Sequence, residues 1–144
     1  MTILSFRKDA RQNLEARQGF YEGTYPLPPP YDEPVLQEVF AAGGRDEETF
    51  GKRSARILLR DGSLEILRAF LTQPVVIPLE SVVAVFSCAA VGGRYVGKDA
   101  ILKIAWRKNR RYLCTAVRLG PGQSAARWKR TIEAEMAALA CRTA

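Results

Sequence analysis

Histidine is missing from all 144 residues, which removes the commonest general base and the commonest metal ligand together. Cysteine is scarce and scattered. Cys88, Cys114 and Cys141 form no CxxC pair, so the usual zinc and redox spacings are absent. Long apolar runs are missing too. The longest, VVAVFSCAAV at residues 82–91, is about half of the roughly 20 residues that a membrane-spanning helix needs, and it reads as a buried strand. The N-terminal MTILSFRKDA has too short an apolar stretch for a secretory leader. An odd cysteine count without a leader makes the reducing cytoplasm the expected location. No nucleophile–base pair can be assembled, and nothing asks for a metal or a cofactor. The expected role is therefore non-enzymatic.

What is present is enough for one domain. A chain of this size buries roughly 70% of its unfolded surface, and its 47% hydrophobic content is ordinary. The net charge of +7 is unevenly placed. Residues 1–51 hold five Lys/Arg against nine Asp/Glu, a balance of −4, and residues 52–144 hold seventeen against six, a balance of +11. The basic character belongs to the second part. A polyanionic partner explains it, and so does plain solubility.

Residues 1–51 read as an N-terminal extension. Ile3, Phe6, Ala10 and Leu14 recur near helical spacing, which predicts a short helix over residues 4–18. Residues 20–34, FYEGTYPLPPPYDEP, read as a linker, because consecutive prolines remove backbone donors and fix φ. Within it Pro28, Pro29 and Tyr31 complete a PPxY pattern. Such a peptide docks on a WW-type reader through its pre-ordered extended backbone. A proline-rich tether has the same composition without a reader, and the tether is the favoured reading.

From residue 52 the pattern turns to strands. ARILLRDGSLEILRAF places Asp61-Gly62 between two apolar runs, the strongest short-range hairpin signal. That turn sets Leu59 opposite Leu64 and Ile57 opposite Ile66. Leu58 and Leu67 fall on the other face, which something must cover: the N-terminal segment, or a second copy of the chain joined through this hairpin. Pro78 interrupts the next apolar stretch, which suits an edge or a bend. AILKIAWR and YLCTAVRL pair around Asn109-Arg110, with Trp106 opposite Leu113, Ile104 opposite Thr115 and Leu102 opposite Val117. Pro121-Gly122 then breaks the strand and Ser124 can cap a helix. Trp128, Ile132, Met136 and Leu139 make one apolar stripe along it.

Six strand-like runs in antiparallel succession, then one amphipathic helix, predict a mainly β (α+β) fold: a bent antiparallel sheet or partly open barrel capped by the C-terminal helix. On the ILLRDGSLEIL hairpin, the VVIPLESVVAVF segment and the closing helix around Trp128, residues 53–140 resemble a pleckstrin-homology-like domain of the small bacterial or GRAM-related kind. The resemblance implies a seventh strand, to be found at residues 35–40 or by a different division of residues 75–88. It implies a binding or scaffold module, with a protein partner and accessory affinity for acidic membrane lipids at the membrane periphery. The lipid-binding members carry basic residues on the first hairpin loop, whereas here that loop is only Asp61-Gly62.

The sharpest surface feature is WRKNRRY, residues 106–112. Lys108 lies opposite Arg111, with Arg107 and Arg110 beside them. Like charges across a strand pair repel unless water screens them or an anion joins them. A solvated turn, an acidic membrane and nucleic acid, with Trp106 and Tyr112 stacking on bases, are the three readings of this tip. Arg94 and Lys98 in the GGRYVGKD loop are candidates to extend the anion-binding surface. That loop is not a phosphate-binding loop, since it lacks GxxxxGK[ST] and precedes no helix.

Overall fold

In the computed structural model, which describes residues 13–27, 53–68, 73–91 and 94–143, the Asp61-Gly62 turn carries positive φ at both positions, 53° and 78°. This is the type I′ geometry whose twist matches paired strands. It joins β2 (Arg53–Arg60) to β3 (Ser63–Arg68), with Leu59 opposite Leu64 and Ile57 opposite Ile66 as the alternation demands. β4 (Val75–Pro78) pairs with β3 and ends at its proline. A 3-10 turn, Leu79–Ser81, leads into β5 (Val82–Cys88). β6 (Ala90–Val91) and β7 (Arg94–Tyr95) form a miniature separate hairpin. β8 (Ile101–Lys108) and β9 (Arg111–Arg118) pair in the expected register around Asn109-Arg110, and α1 (Ala125–Thr143) closes the chain.

The seventh strand of the main sheet is none of the candidates read from the sequence. It is β1, Leu14–Pro26, a 13-residue strand that sits in the middle of the sheet order β4-β3-β2-β1-β9-β8-β5. Its first half pairs with β2 and its second half with β9, with irregularities between Ala16 and Gly19 and between Tyr21 and Gly23. The helix expected over residues 4–18 is thus a strand from Leu14 onward, the linker expected over 20–34 is a strand as far as Pro26, and the domain starts well before residue 52. The physical reason is the pair of bulges. Leu14 and Ala16 face the core at strand spacing, but each bulge inserts an unpaired residue and resets the alternation. Gly19 sits where a Cβ would lie 2.5 Å from Ile57 Cδ1 and 2.9 Å from the Arg118 carbonyl oxygen, so only glycine lets the strands approach. Residues 28–52, with Pro28, Pro29, Tyr31 and the 35–40 run, lie outside the described residues, as do residues 1–12.

The two edges of this sheet, β4 and β5, are joined by the three residues of the 3-10 turn. A sheet whose opposite edges are so connected has to curl on itself, which makes a bent antiparallel sheet with one open seam. The enclosed core holds Ile57, Leu59, Leu64, Ile66, Ile77, Leu102, Ile104 and Val117. Helix α1 caps it by driving in Trp128 and Ile132, both 0% exposed. Several polar side chains inside are paired, whereas the carboxylate of Glu22, 1% exposed, meets no hydrogen-bond partner among the described residues. Trp106 Nε1 donates to Thr115 Oγ1 at 2.9 Å, Thr115 shares a hydrogen bond with Thr24, Tyr21 donates to Thr24, and Trp128 Nε1 donates to Gln123.

On the outer face of the first hairpin, Leu58 is only 6% exposed within the single chain. Its cross-strand neighbours are Glu15 and Glu65. Arg56 and Arg17 hold Glu15 at 2.9 and 3.1 Å, and Arg60 holds Glu65 at 2.9 Å. Of the two coverings that the sequence offers for this face, the N-terminal segment and a second copy, the structure supplies the first at Leu58, where Glu15 of β1 is the cross-strand neighbour, and carbon stems of paired charged residues suit that role.

Candidate functional site

Helix α1 carries the apolar stripe that the sequence shows, but the sheet does not cover all of it. Trp128 and Ile132 are buried, while Met136 and Leu139 are half-buried and reach past the end of the core. Opposite them lie Leu79 of the 3-10 turn and Val82 at the start of β5. Together with Glu80 and Ala140 these residues line a cleft of about 320 Å³. The cleft meets the sheet at Val82, the first residue of β5, and β5 is an edge of the seven-stranded sheet. A sheet edge next to an apolar cleft is the arrangement that accepts an added strand, with backbone bonding along the edge and side chains placed in the cleft.

The helix is held in this position from its other end. Asp99, in the loop before β8, accepts hydrogen bonds from Ser87 Oγ on β5 at 2.5 Å, from Ser124 Oγ at 2.5 Å and from the Ala126 amide at 2.7 Å. Ser124 Oγ in turn accepts from the Arg127 amide at 3.2 Å, as a cap does. Burial pushes the Asp99 carboxyl up, but the bonds from Ser124, Ser87 and Ala126 outweigh it and hold the group below the usual aspartate value. One carboxylate therefore ties β5, the β7–β8 loop and the first turn of α1 together.

The cationic tip forms as the sequence predicts. Arg107, Lys108, Arg110 and Arg111 are all exposed, and Lys108 is the cross-strand partner of Arg111. The hairpin overshoots β5, whose first residue pairs with Trp106. Arg110 holds φ 68°, a left-handed conformation that a side chain of its type rarely adopts. Trp106 differs from the expectation. It is 5% exposed and packs in the core, so it cannot stack on a base. Tyr112 is half-buried beside Cys114, Ala105 and Leu27.

Lys98 does not join this tip. It precedes β8, whereas the tip begins with the last two residues of β8, and the eight residues of that strand span about 25 Å. Arg94, in β7, stands at the same far end by chain connectivity. The cleft of Leu79, Val82, Met136 and Leu139 was not singled out in the sequence. The signal was there: a stripe of four apolar residues, longer than one end of a small barrel can bury. Among the described residues no group of three or more Cys, Asp or Glu gathers as a metal site would require, and no helix is long and apolar enough to cross a membrane.

No family model and no curated protein matches the sequence. Among solved structures, the chain is similar to the solution structure of the C-terminal phosphotyrosine interaction domain of APBB2 from mouse. The TM-score is 0.58 at 14% identity, over 89% of this chain and 88% of that one. At that identity the likeness concerns the fold. The chain has the pleckstrin-homology-like fold that phosphotyrosine interaction domains share, a bent seven-stranded antiparallel sheet capped by a C-terminal helix.

Proposed function

We propose that this chain is a non-enzymatic protein-interaction module, of the small pleckstrin-homology-like kind, which takes up an extended segment of a partner protein along β5. Apolar side chains of that segment enter the cleft between the 3-10 turn and α1. The observation that carries the reading is the overhang of Met136 and Leu139 next to a sheet edge. The likeness to a phosphotyrosine interaction domain supports the protein-binding class. The phosphate itself is not favoured in this cleft, because among the described residues its one charged lining residue is the acid Glu80. The tip Arg107–Lys108–Arg110–Arg111 adds attraction for anionic surfaces such as acidic membrane lipids. Nucleic acid is the lesser alternative for the tip, since Trp106 is committed to the core.

The test is selection of random displayed peptides on the purified chain, followed by binding of the enriched peptides to an Ala140→Arg variant. Ala140 is exposed at the rim of the cleft, so the arginine obstructs it without entering the core. The expected outcome is peptides rich in apolar residues whose affinity falls about tenfold or more in the variant. Failure to enrich any peptide, or equal affinity for both proteins, overturns the proposal.

A further inference from the structure

At the opposite end of α1 lies a second recess that peptide uptake does not use. It holds about 450 Å³ and is lined by residues 98–100 and 118–123 together with Phe20. Its separation from the cleft follows from the helix: some 15 residues of α1 intervene, about 20 Å at the helical rise.

The electrostatics of this recess are unusual. Arg118 is half-buried, with its guanidinium 5.7 Å from the centre of the Phe20 ring. Among the described residues no carboxylate pairs with it. Partial burial makes an unpaired cation unfavourable, and stacking on a ring offsets only part of that. Lys98, exposed at the rim, is a second cation there without an ion pair among the described residues. Among the described residues the one acid in the lining, Asp99, has its carboxylate committed to Ser87, Ser124 and the Ala126 amide on the helix side. Two cations therefore stand against one occupied carboxylate. Ala100, Leu119 and the Phe20 ring supply apolar wall.

The recess is also built rather than incidental. The Leu119 amide bonds to the Ala100 carbonyl and the Ala125 amide to the Asp99 carbonyl, which fixes the β9–α1 connection onto the start of β8. Gly120-Pro121-Gly122-Gln123 is a closed turn, with φ 77° at Gly122 and the Gln123 amide on the Gly120 carbonyl. Proline second and a positive-φ glycine third are the marks of a type II turn. Gly120 packs so close to Gln18 that a Cβ would meet its carbonyl oxygen at 2.6 Å.

We infer that this recess is a binding site for a phosphomonoester carrying a small apolar group: Arg118 and Lys98 take the dianion, and Phe20, Ala100 and Leu119 take the organic part. The guanidinium fork matches phosphate oxygens in pairs, and a dianion matches two cations. The volume lies in the range of small-ligand sites.

The experiment is calorimetric titration of the full chain with phenyl phosphate, with inorganic phosphate and phenol as controls. Phenyl phosphate is expected to bind saturably and more tightly than either control. Arg118→Gln should weaken it about tenfold or more, and Lys98→Gln should weaken it to a smaller extent. Arg142→Gln, exposed in the last turn of α1 and outside both sites, should leave it unchanged. Lys98 is exposed, so its variant keeps the test informative if Arg118→Gln unfolds. Displacement of phenyl phosphate by vesicles bearing phosphatidic acid assigns the natural source to a lipid headgroup, and failure to displace assigns it to a soluble compound; both keep the site. No saturable binding up to about 10 mM, or equal binding by wild type and the Lys98→Gln variant, overturns it.

Discussion

Asn109 and Arg110 hold φ 51° and 68° at the turn of the second long hairpin, the same geometry that Asp61-Gly62 adopts in the first. Asparagine tolerates that region through its short polar side chain, whereas for arginine the Cβ crowds the backbone at a cost of about 1–2 kcal/mol. Arg110→Gly is therefore expected to stabilise the fold by about 1 kcal/mol, less the entropy glycine adds to the unfolded chain, as read by urea denaturation. It also removes one of four exposed tip cations. A gain in stability together with weaker adsorption to acidic vesicles would show that a strained turn is retained for its charge. Asp61-Gly62 was readable from the sequence because its residue types match its geometry. Arg110 was readable only through the register of the strands around it.

At the level of elements, the start of α1 is built from two places in the chain. Ser124 was legible as a cap from the sequence, and it does accept the Arg127 amide. Asp99, 25 residues earlier, was not legible, because its role exists only after β8 and β9 have folded back to bring the loop against the helix. Asp99→Asn keeps the shape and tolerates the positive φ of 59° at this position. It is expected to lower stability by about 1 kcal/mol. The sign with pH follows from the depressed carboxyl. The contribution is fully present above the unfolded aspartate value near about pH 4 and is lost as pH falls through the lower folded value. Urea titrations should thus show the widest gap between wild type and variant at neutral pH, closing below pH of about 4; a gap independent of pH would count against it. β1 shows the reverse difficulty. Phe20, Tyr21 and Tyr25 are strand-forming types, yet the bulges broke the alternation and the neighbouring prolines drew the whole stretch into a linker reading.

Over the whole molecule, three features lie on different parts of one curled sheet: the cationic tip past β8, the apolar cleft at the end of α1, and the Arg118 recess at its start. This separation makes their contributions independent to first order. Each tip cation is worth about 1 kcal/mol near an acidic membrane, so adsorption is expected to be weak and salt-sensitive. Reversing Arg107 and Lys108 to glutamate should abolish sedimentation with acidic vesicles at low salt while leaving the melting curve intact, because both residues are exposed. Sedimentation unchanged by the swap would assign membrane attraction elsewhere.

Alternation and turn chemistry are local, and with them the chain by itself determined both long hairpins, their registers, the buried stripe of α1 and the clustering of four cations at one tip. Those features depend on residues within a few positions of each other, where strand period, glycine and helical spacing are decisive. The central place of β1, the curl that joins β4 to β5, the burial of Trp106, the remote cap from Asp99 and the stacking of Arg118 on Phe20 in its recess were decided only by tertiary structure. Each of them depends on which distant segments meet, and that is settled by how the closed sheet buries its apolar face as a whole.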